Sequence, residues 1–218
     1  MGEENLKLVT LGSVPYKPIV PIALKQKRMK KIMFNDQYGL TQAVLDGRKT
    51  QTRRIAYQEP FKYNCNCGFF TEGKDKGKFA INDGNEIVAK STYKIGEVVA
   101  VAQRYSDIPF ANDIFIRAFP IGWANKMFVK SSLMPHQIKI TNIRCERLQD
   151  ISIEDCLAEG IVDFESRINK VHFYSITDKS ATYGTPQKPY AQLIDKLAGK
   201  GTWKSNPLVF VYDFVLVK

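Results

Sequence analysis

The sequence predicts a mixed α and β protein, mainly β, organised as a small barrel with flanking helices and insertions. Three observations lead there. The segment Val98-Val99-Ala100-Val101 is apolar on both faces, the mark of a strand buried on both sides, as in a barrel covered by helices. The C-terminal segment 208–217 places Leu208, Phe210, Tyr212, Phe214 and Leu216 on one face and Val209, Val211, Val215 and Val217 on the other, which suits the centre of a sheet. Between such strands lie two stretches with helix start and stop signals, from Ser152 to Glu159 and from Pro189 to Gly199.

Taken in chain order, residues 1–31 read as an N-terminal basic extension. Pro15, Pro18 and Pro21 favour an extended path, and Lys25, Lys27, Arg28, Lys30 and Lys31 gather just before the first strand candidate, Ile32-Met33-Phe34. The single domain is expected over 32–218. Leu40, Ala43 and Val44 recur at helical spacing, and Gly47 stands where a left-handed residue would end that helix. Then comes Gly47-Arg48-Lys49-Thr50-Gln51-Thr52-Arg53-Arg54, with four cations and two hydroxyls in eight residues and no acid inside the run. Buried ammonium and guanidinium groups must be paired, so this run is expected to face solvent or an anionic ligand.

From about 56 to 92 the apolar periodicity lapses while Gly73, Gly77 and Gly84 accumulate among Lys and Asp residues, the pattern of a peripheral insertion or long hairpin. A turn at Lys94-Ile95-Gly96 leads into the 98–101 strand. Gln137 to Leu148 alternates through Ile138 and Ile140, then changes phase at Ile143 and Cys145, which predicts a bulge or bend. Ser152 is a suitable N-cap with Asp155 three residues on, and Ile151 and Cys156 occupy the positions of a hydrophobic staple. Pro189 is expected to open the next helix, with Tyr190, Leu193, Ile194 and Leu197 on one stripe and Gly199 closing it. In the last strand Asp213 alone interrupts its face, so its carboxylate needs a donor or a place at the rim.

The chain has 218 residues and an apolar fraction of 44%, enough for a packed core. A formal charge of +10 favours a polyanionic partner, nucleic acid first, against the blander alternative of a basic enzyme kept soluble by its charge. No apolar run approaches the roughly 20 residues of a membrane helix, and Glu3 and Glu4 replace the basic leader of a signal peptide. A cytoplasmic protein with no membrane partner is expected. Cys65, Cys67, Cys145 and Cys156 are too sparse for a disulfide scaffold. The one-residue spacer of Cys65-Asn66-Cys67 is shorter than zinc ligand spacing, and no second Cys/His pair has that spacing, so neither metal nor cofactor is expected.

Among the cations of the run, Lys49 is the one able to lose a proton when desolvated or crowded by Arg48, Arg53 and Arg54, because arginine stays charged. It reads equally as a base or as a phosphate contact of fixed charge. Thr52 is β-branched and suits a strand, and its hydroxyl becomes a nucleophile only beside a base. In a regular strand Lys49 and Thr52 point to opposite faces, so they converge only if Lys49 still belongs to the turn or the strand is bulged. Glu159 closes its helix where the macrodipole disfavours negative charge, a direction that suits a general acid, although an exposed glutamate before a glycine is the plainer reading. Trp203, Tyr105 and Trp123 are candidates for stacking on a base, with Trp203 favoured because Gly199, Gly201 and Pro207 suggest a loop.

The pattern of an apolar helix, Gly-Arg-Lys-Thr, a spacer and Thr-Arg-Arg resembles the signature of the ASCH domain, a small β-barrel of the PUA-like superfamily that includes RNA-binding members. Further stretches resemble its phage and prophage branch in the same order: Tyr93 to Val99, Met134-Pro135-His136 running on to Glu146–Ser152 and Glu159-Gly160, and Trp203 to Pro207. The resemblance covers about 32–218. It implies hydrolysis of the acyl amide of N4-acetylcytidine or a similar modified base, with Lys49, Thr52 and Glu159 as catalytic residues and Arg54 anchoring the substrate. Arg48, Arg53, Arg54, Tyr105 and Trp203 would then meet substrate or nucleic acid. The chain departs from that branch at Ala102-Gln103, where an Arg-Glu pair is usual, which bears on substrate more than on fold. Two other readings stand beside the hydrolase: a non-catalytic RNA-binding module, and a ribonuclease using Lys49 with a nearby hydroxyl or tyrosine.

Overall fold

A computed structural model describes residues 29–57, 65–108, 125–166, 170–177 and 182–217. Nearly all of the N-terminal extension, and Trp123, lie outside the described residues. The fold is mixed α and β, mainly β. Its central sheet has five strands in the order β1 (Lys31–Ile32), β6 (Val98–Val101), β7 (Gln137–Arg147), β10 (Leu208–Leu216) and β2 (Gln51–Tyr57). The β1–β6 pair is parallel and the other neighbours are antiparallel.

As its two apolar faces require, β10 is flanked on both sides, by β7 and β2, and Leu208 to Tyr212 are all buried. Two-sided burial stops near the strand's end, where Val215 and Leu216 emerge into solvent. Asp213 meets donors from both neighbouring strands: Gln51 Nε2 at 2.6 Å, Asn142 Nδ2 at 3.1 Å and Arg144 Nη1 at 3.0 Å. The phase change in β7 is a bulge. Asp213 pairs with Asn142 and Phe214 with Ile140, which leaves Thr141 as the extra residue and lets Ile138, Ile140 and Ile143 all be buried.

The 56–92 stretch is more regular and more central than a peripheral excursion. It contains an antiparallel sheet of β3 (Cys65–Phe69), β4 (Phe79–Asp83) and β5 (Glu86–Lys90). Ile81 of β4 is fully buried, and Phe79 stands edge-on to Phe210 at 6.2 Å, so this small sheet closes one side of the main core. β8 (Val162–Glu165) and β9 (His172–Ser175) form a separate hairpin ladder.

Helix α1 (Leu40–Leu45) buries Leu40, Ala43 and Val44, and Gly47 follows at φ 73°, the left-handed turn its position called for. Helix α2 (Ile153–Ala158) is capped by Ser152, whose Oγ accepts from the Asp155 amide at 3.0 Å, and Glu159 is its C-cap. Helix α3 (Gln187–Ala198) starts before Pro189, which falls in the first turn, where a missing N–H costs nothing. Its stripe is buried at Tyr190 and Leu193 and reaches solvent at Leu197. A short α4 (Thr202–Ser205) carries Trp203, which is therefore helical rather than on a loop. No helix of the described residues is long and apolar enough to cross a membrane.

Among the described residues the sheet does not close into a barrel. β1 and β2 are its two edges, and a two-residue β1 is too short to carry a ladder along β2. A side chain spans the seam instead: Arg54 Nη2 donates to the carbonyl of Met33 at 2.6 Å.

Candidate active site

A cavity of about 630 Å³ opens at that seam, lined by the chain leaving β1 (Met33 to Gln37), by Thr52 to Ile55 of β2, and by α3 on the far side. Lys49 and Glu159 also line it. The chain reaches Lys49 directly from the Gly47 turn. The Lys49 amide bonds the Ala43 carbonyl at 2.8 Å and the Thr50 amide bonds the Ala158 carbonyl at 2.9 Å, so this segment is tied to the ends of both α1 and α2. Lys49 thus belongs to the turn, ahead of the alternation of β2, which is how it and Thr52 line one cavity.

Lys49 is only 2% exposed, and its Nζ donates to Glu159 twice, to Oε2 at 2.5 Å and to the backbone carbonyl at 2.7 Å. Burial pulls the Lys49 ammonium below its ordinary value. The Glu159 charge and hydrogen bond oppose that shift without cancelling it, while Arg54 and Arg53 add to it. Thr52 is buried in the same wall, and among the described residues the Lys49 hydrogen bonds go to Glu159 rather than to Thr52.

The expectation that the whole cationic run faces solvent or an anionic ligand is overturned at Lys49 and Arg53. The Arg53 guanidinium is fully enclosed. Its Nη2 lies 2.6 Å from Glu146 Oε1 and 2.5 Å from Asp155 Oδ2, and its Nη1 bonds Gln51 and approaches Glu159 Oε1 at 3.4 Å. Arg144 joins the same carboxylates, Glu146 at 3.0 Å and Asp155 at 2.6 Å. These acids lie 93 or more residues further along the chain, where no reading of the run itself could see them. Arg53 therefore fixes α2, and with it Glu159, to the sheet and has no free face for nucleic acid. Arg48 and Arg54 are the exposed cations of the run; Arg48 lies 3.7 Å from Asp46.

The expected stacking residues stand elsewhere. Trp203 is half-buried against the main core, edge-on to Tyr190 at 6.1 Å, and Tyr105 packs on a small cluster with Ala100, Ala102 and Met134. Neither lines the cavity, and nor do Ala102 and Gln103, which are buried. An aromatic ring that does line the cavity is Phe34, with Lys49 Nζ 5.7 Å and the Arg54 guanidinium 5.9 Å from its centroid.

Tyr190 also lines the cavity, at 1% exposure, and its hydroxyl has no partner among the described residues. Burial first, and then the charge of Glu159, push that phenol well above its ordinary value, so it stays a donor. The sequence shows Tyr190 only as one member of an apolar stripe. Asp36, Arg104 and Lys126 at the cavity's other end carry no local signal at all. There Asp36 accepts from Lys126 at 2.8 Å, from Thr41 at 2.5 Å and from Arg104 at 3.0 Å. Burial raises the Asp36 carboxyl, but the hydrogen bonds from Lys126 and Thr41 and the charges of Lys126 and Arg104 outweigh it and leave it lowered.

Cys156 is buried, which pushes its thiol up to about 12 and makes it a packing group rather than a nucleophile. Among the described residues no cluster of three or more His, Cys, Asp and Glu side chains could hold a metal ion. No model of a known family, no curated protein and no solved structure matches the chain, so the site's chemistry rests on its own geometry.

Proposed function

We propose that the chain is an ASCH-type hydrolase of PUA-like architecture, cleaving the acyl amide of an N4-acylated cytidine or a similar modified base. The observation that carries this reading is the Lys49–Glu159 pair, buried in the wall of the cavity that Thr52 also lines. That Lys49, Thr52 and Glu159 line one cavity supports the reading.

The chemistry follows from where the shared proton sits. Moved from Lys49 to Glu159, it leaves a neutral amine beside a neutral acid and strands no charge in the interior. The amine then accepts the Thr52 proton as the hydroxyl oxygen bonds to the acyl carbon. Glu159 gives its proton to the departing N4 amine as the C–N bond breaks, which leaves a threonyl ester. Water attacks the ester and loses a proton to Glu159, and Lys49 returns its proton to the Thr52 oxygen as the carboxylic acid departs. The lowered basicity of Lys49 favours the neutral amine that the first step needs.

A non-catalytic RNA-binding module is the second reading, favoured by the exposed cations Arg48 and Arg54, the latter lining the cavity, on a chain of net charge +10. Incubation with N4-acetylcytidine, followed by assay of acetate and cytidine, separates the two. The hydrolase releases both, and Lys49→Ala, Thr52→Ala and Glu159→Gln each lower kcat by about 10²–10⁴-fold. Double variants are then scarcely worse than single ones, because the groups act together. The binding module releases nothing, and Arg48→Ala and Arg54→Ala each flatten the salt dependence of RNA binding by a slope of about 0.7. Absence of acetate with the wild type rules out the hydrolase reading for this substrate.

A further inference from the structure

We infer that the outer end of the cavity is a phosphate subsite built from Arg54 and Arg104 with the charge of Lys126, so that the ligand is a nucleoside monophosphate rather than a free nucleoside. The identity of the base rests on the hydrolase reading. The phosphate does not.

The two ends of the cavity differ in charge balance. At the inner end Lys49 is matched by Glu159, and Arg53 is held by Glu146 and Asp155 as well. The other charged residues of the lining are Arg54, Arg104 and Lys126 against the single carboxylate of Asp36, three positive charges to one negative, and Arg54 and Lys126 bind the adjacent carbonyls of Met33 and Phe34. Among the described residues Arg54 has no carboxylate partner, only the Met33 carbonyl. A net charge of two at a partly desolvated wall calls for an anion, and a phosphate monoester carries about −1.5 to −2 near neutral pH. A strand phosphodiester carries half of that and matches the excess less well.

Donor geometry points the same way. Lys126 spends its ammonium on the Phe34 carbonyl, Asp36 and Thr41, so it contributes charge without a free N–H. Arg54 and Arg104 are different. Among the described residues each engages its guanidinium in hydrogen bonds through Nη2 alone, which leaves the planar fork that suits phosphate. Arg104 is 40% exposed at the side chain, so these donors are reachable from solvent. Asp36 holds Arg104 and Lys126 in place before any ligand arrives, which reduces the ordering cost of binding.

Calorimetric titration with cytidine and cytidine 5′-monophosphate tests the subsite without relying on turnover. The nucleotide is expected to bind at least about tenfold more tightly than the nucleoside. Arg104→Gln is expected to remove most of that difference and leave cytidine affinity unchanged. Equal affinities in the wild type, a preference that survives Arg104→Gln, or no binding of either compound would each overturn the inference. So would tighter binding of a short single-stranded RNA than of the mononucleotide, lost on the same substitution, which would assign the cations to a strand. A nucleotide preference without acetate release from N4-acetylcytidine or its 5′-monophosphate would keep the subsite and discard the hydrolase. Equal kcat/KM for those two compounds would do the reverse.

Discussion

Lys49 and Arg53 come from one short run and are both buried, yet the structure gives them opposite electrostatic settings. Arg53 is ringed by Glu146, Asp155 and Glu159 and keeps its charge at any accessible pH. Lys49 has one carboxylate, and burial erodes its hold on the proton. Removing the countercharge alone is therefore costly. Glu159→Gln leaves Lys49 buried without a charged partner and is expected to lower unfolding free energy by about 3–5 kcal/mol in a denaturant titration. Adding Lys49→Met to that variant should recover most of the loss, since it removes the stranded charge and keeps an unbranched stem of similar length. A double variant as unstable as the single one would show that packing, rather than charge, sets the cost.

At the scale of elements, the site depends on how α2 ends. Glu159 is the C-cap, and both its carboxylate and its carbonyl hold Lys49. The next residue, Gly160, has φ 101°, a conformation that side chains with a Cβ rarely adopt. Space is not the obstacle there. A Cβ would meet Leu40 at 3.5 Å and the Lys49 stem at 3.6 Å, both ordinary contacts. The cost of Gly160→Ala is backbone strain, expected at about 1–2 kcal/mol, read as a lower Tm. If the backbone relaxes instead, the Glu159 carbonyl shifts away from Lys49, and turnover falls while Tm holds. Wild-type values for both would show that this turn does not position the pair.

For the whole molecule, the ionic lattice across β2, β10, β7 and α2 makes folding sensitive to acid. Burial raises the Asp155 carboxyl, but hydrogen bonds from Gln51 and Arg53 and the charges of Arg53 and Arg144 leave it lowered. Asp36 is lowered for a similar reason at the cavity's other end. A carboxylate with a depressed folded value contributes stability that is fully present above its ordinary 3.8 and is lost as pH falls through the folded value. Urea midpoints are therefore expected to decline progressively below that pH. The Asp155→Asn variant, already without this contribution, should decline less steeply over the same range.

What the sequence determined by itself is what neighbouring residues decide. The α1 turn at Gly47, the Ser152 cap, the β7 bulge and the central place of β10 each depend on spacing within one element, and periodicity records that spacing directly. The cationic run was legible as a site candidate because four cations fall in eight residues with no acid inside the run, and Glu159 because it closes a helix at a position the family resemblance points to. Only the tertiary structure decided which of those cations is buried, that Arg53 belongs to the scaffold, that Trp203 and Tyr105 pack away from the cavity, and that Phe34, Tyr190, Asp36, Arg104 and Lys126 line it. It also decided that, among the described residues, the sheet stays open where the cavity lies. Ion pairs and cavities are made between residues far apart in the chain, as Lys49 and Glu159 are by 110 positions. No periodicity in either segment encodes the partner, because the side chain's environment is set by elements that meet only when the chain folds.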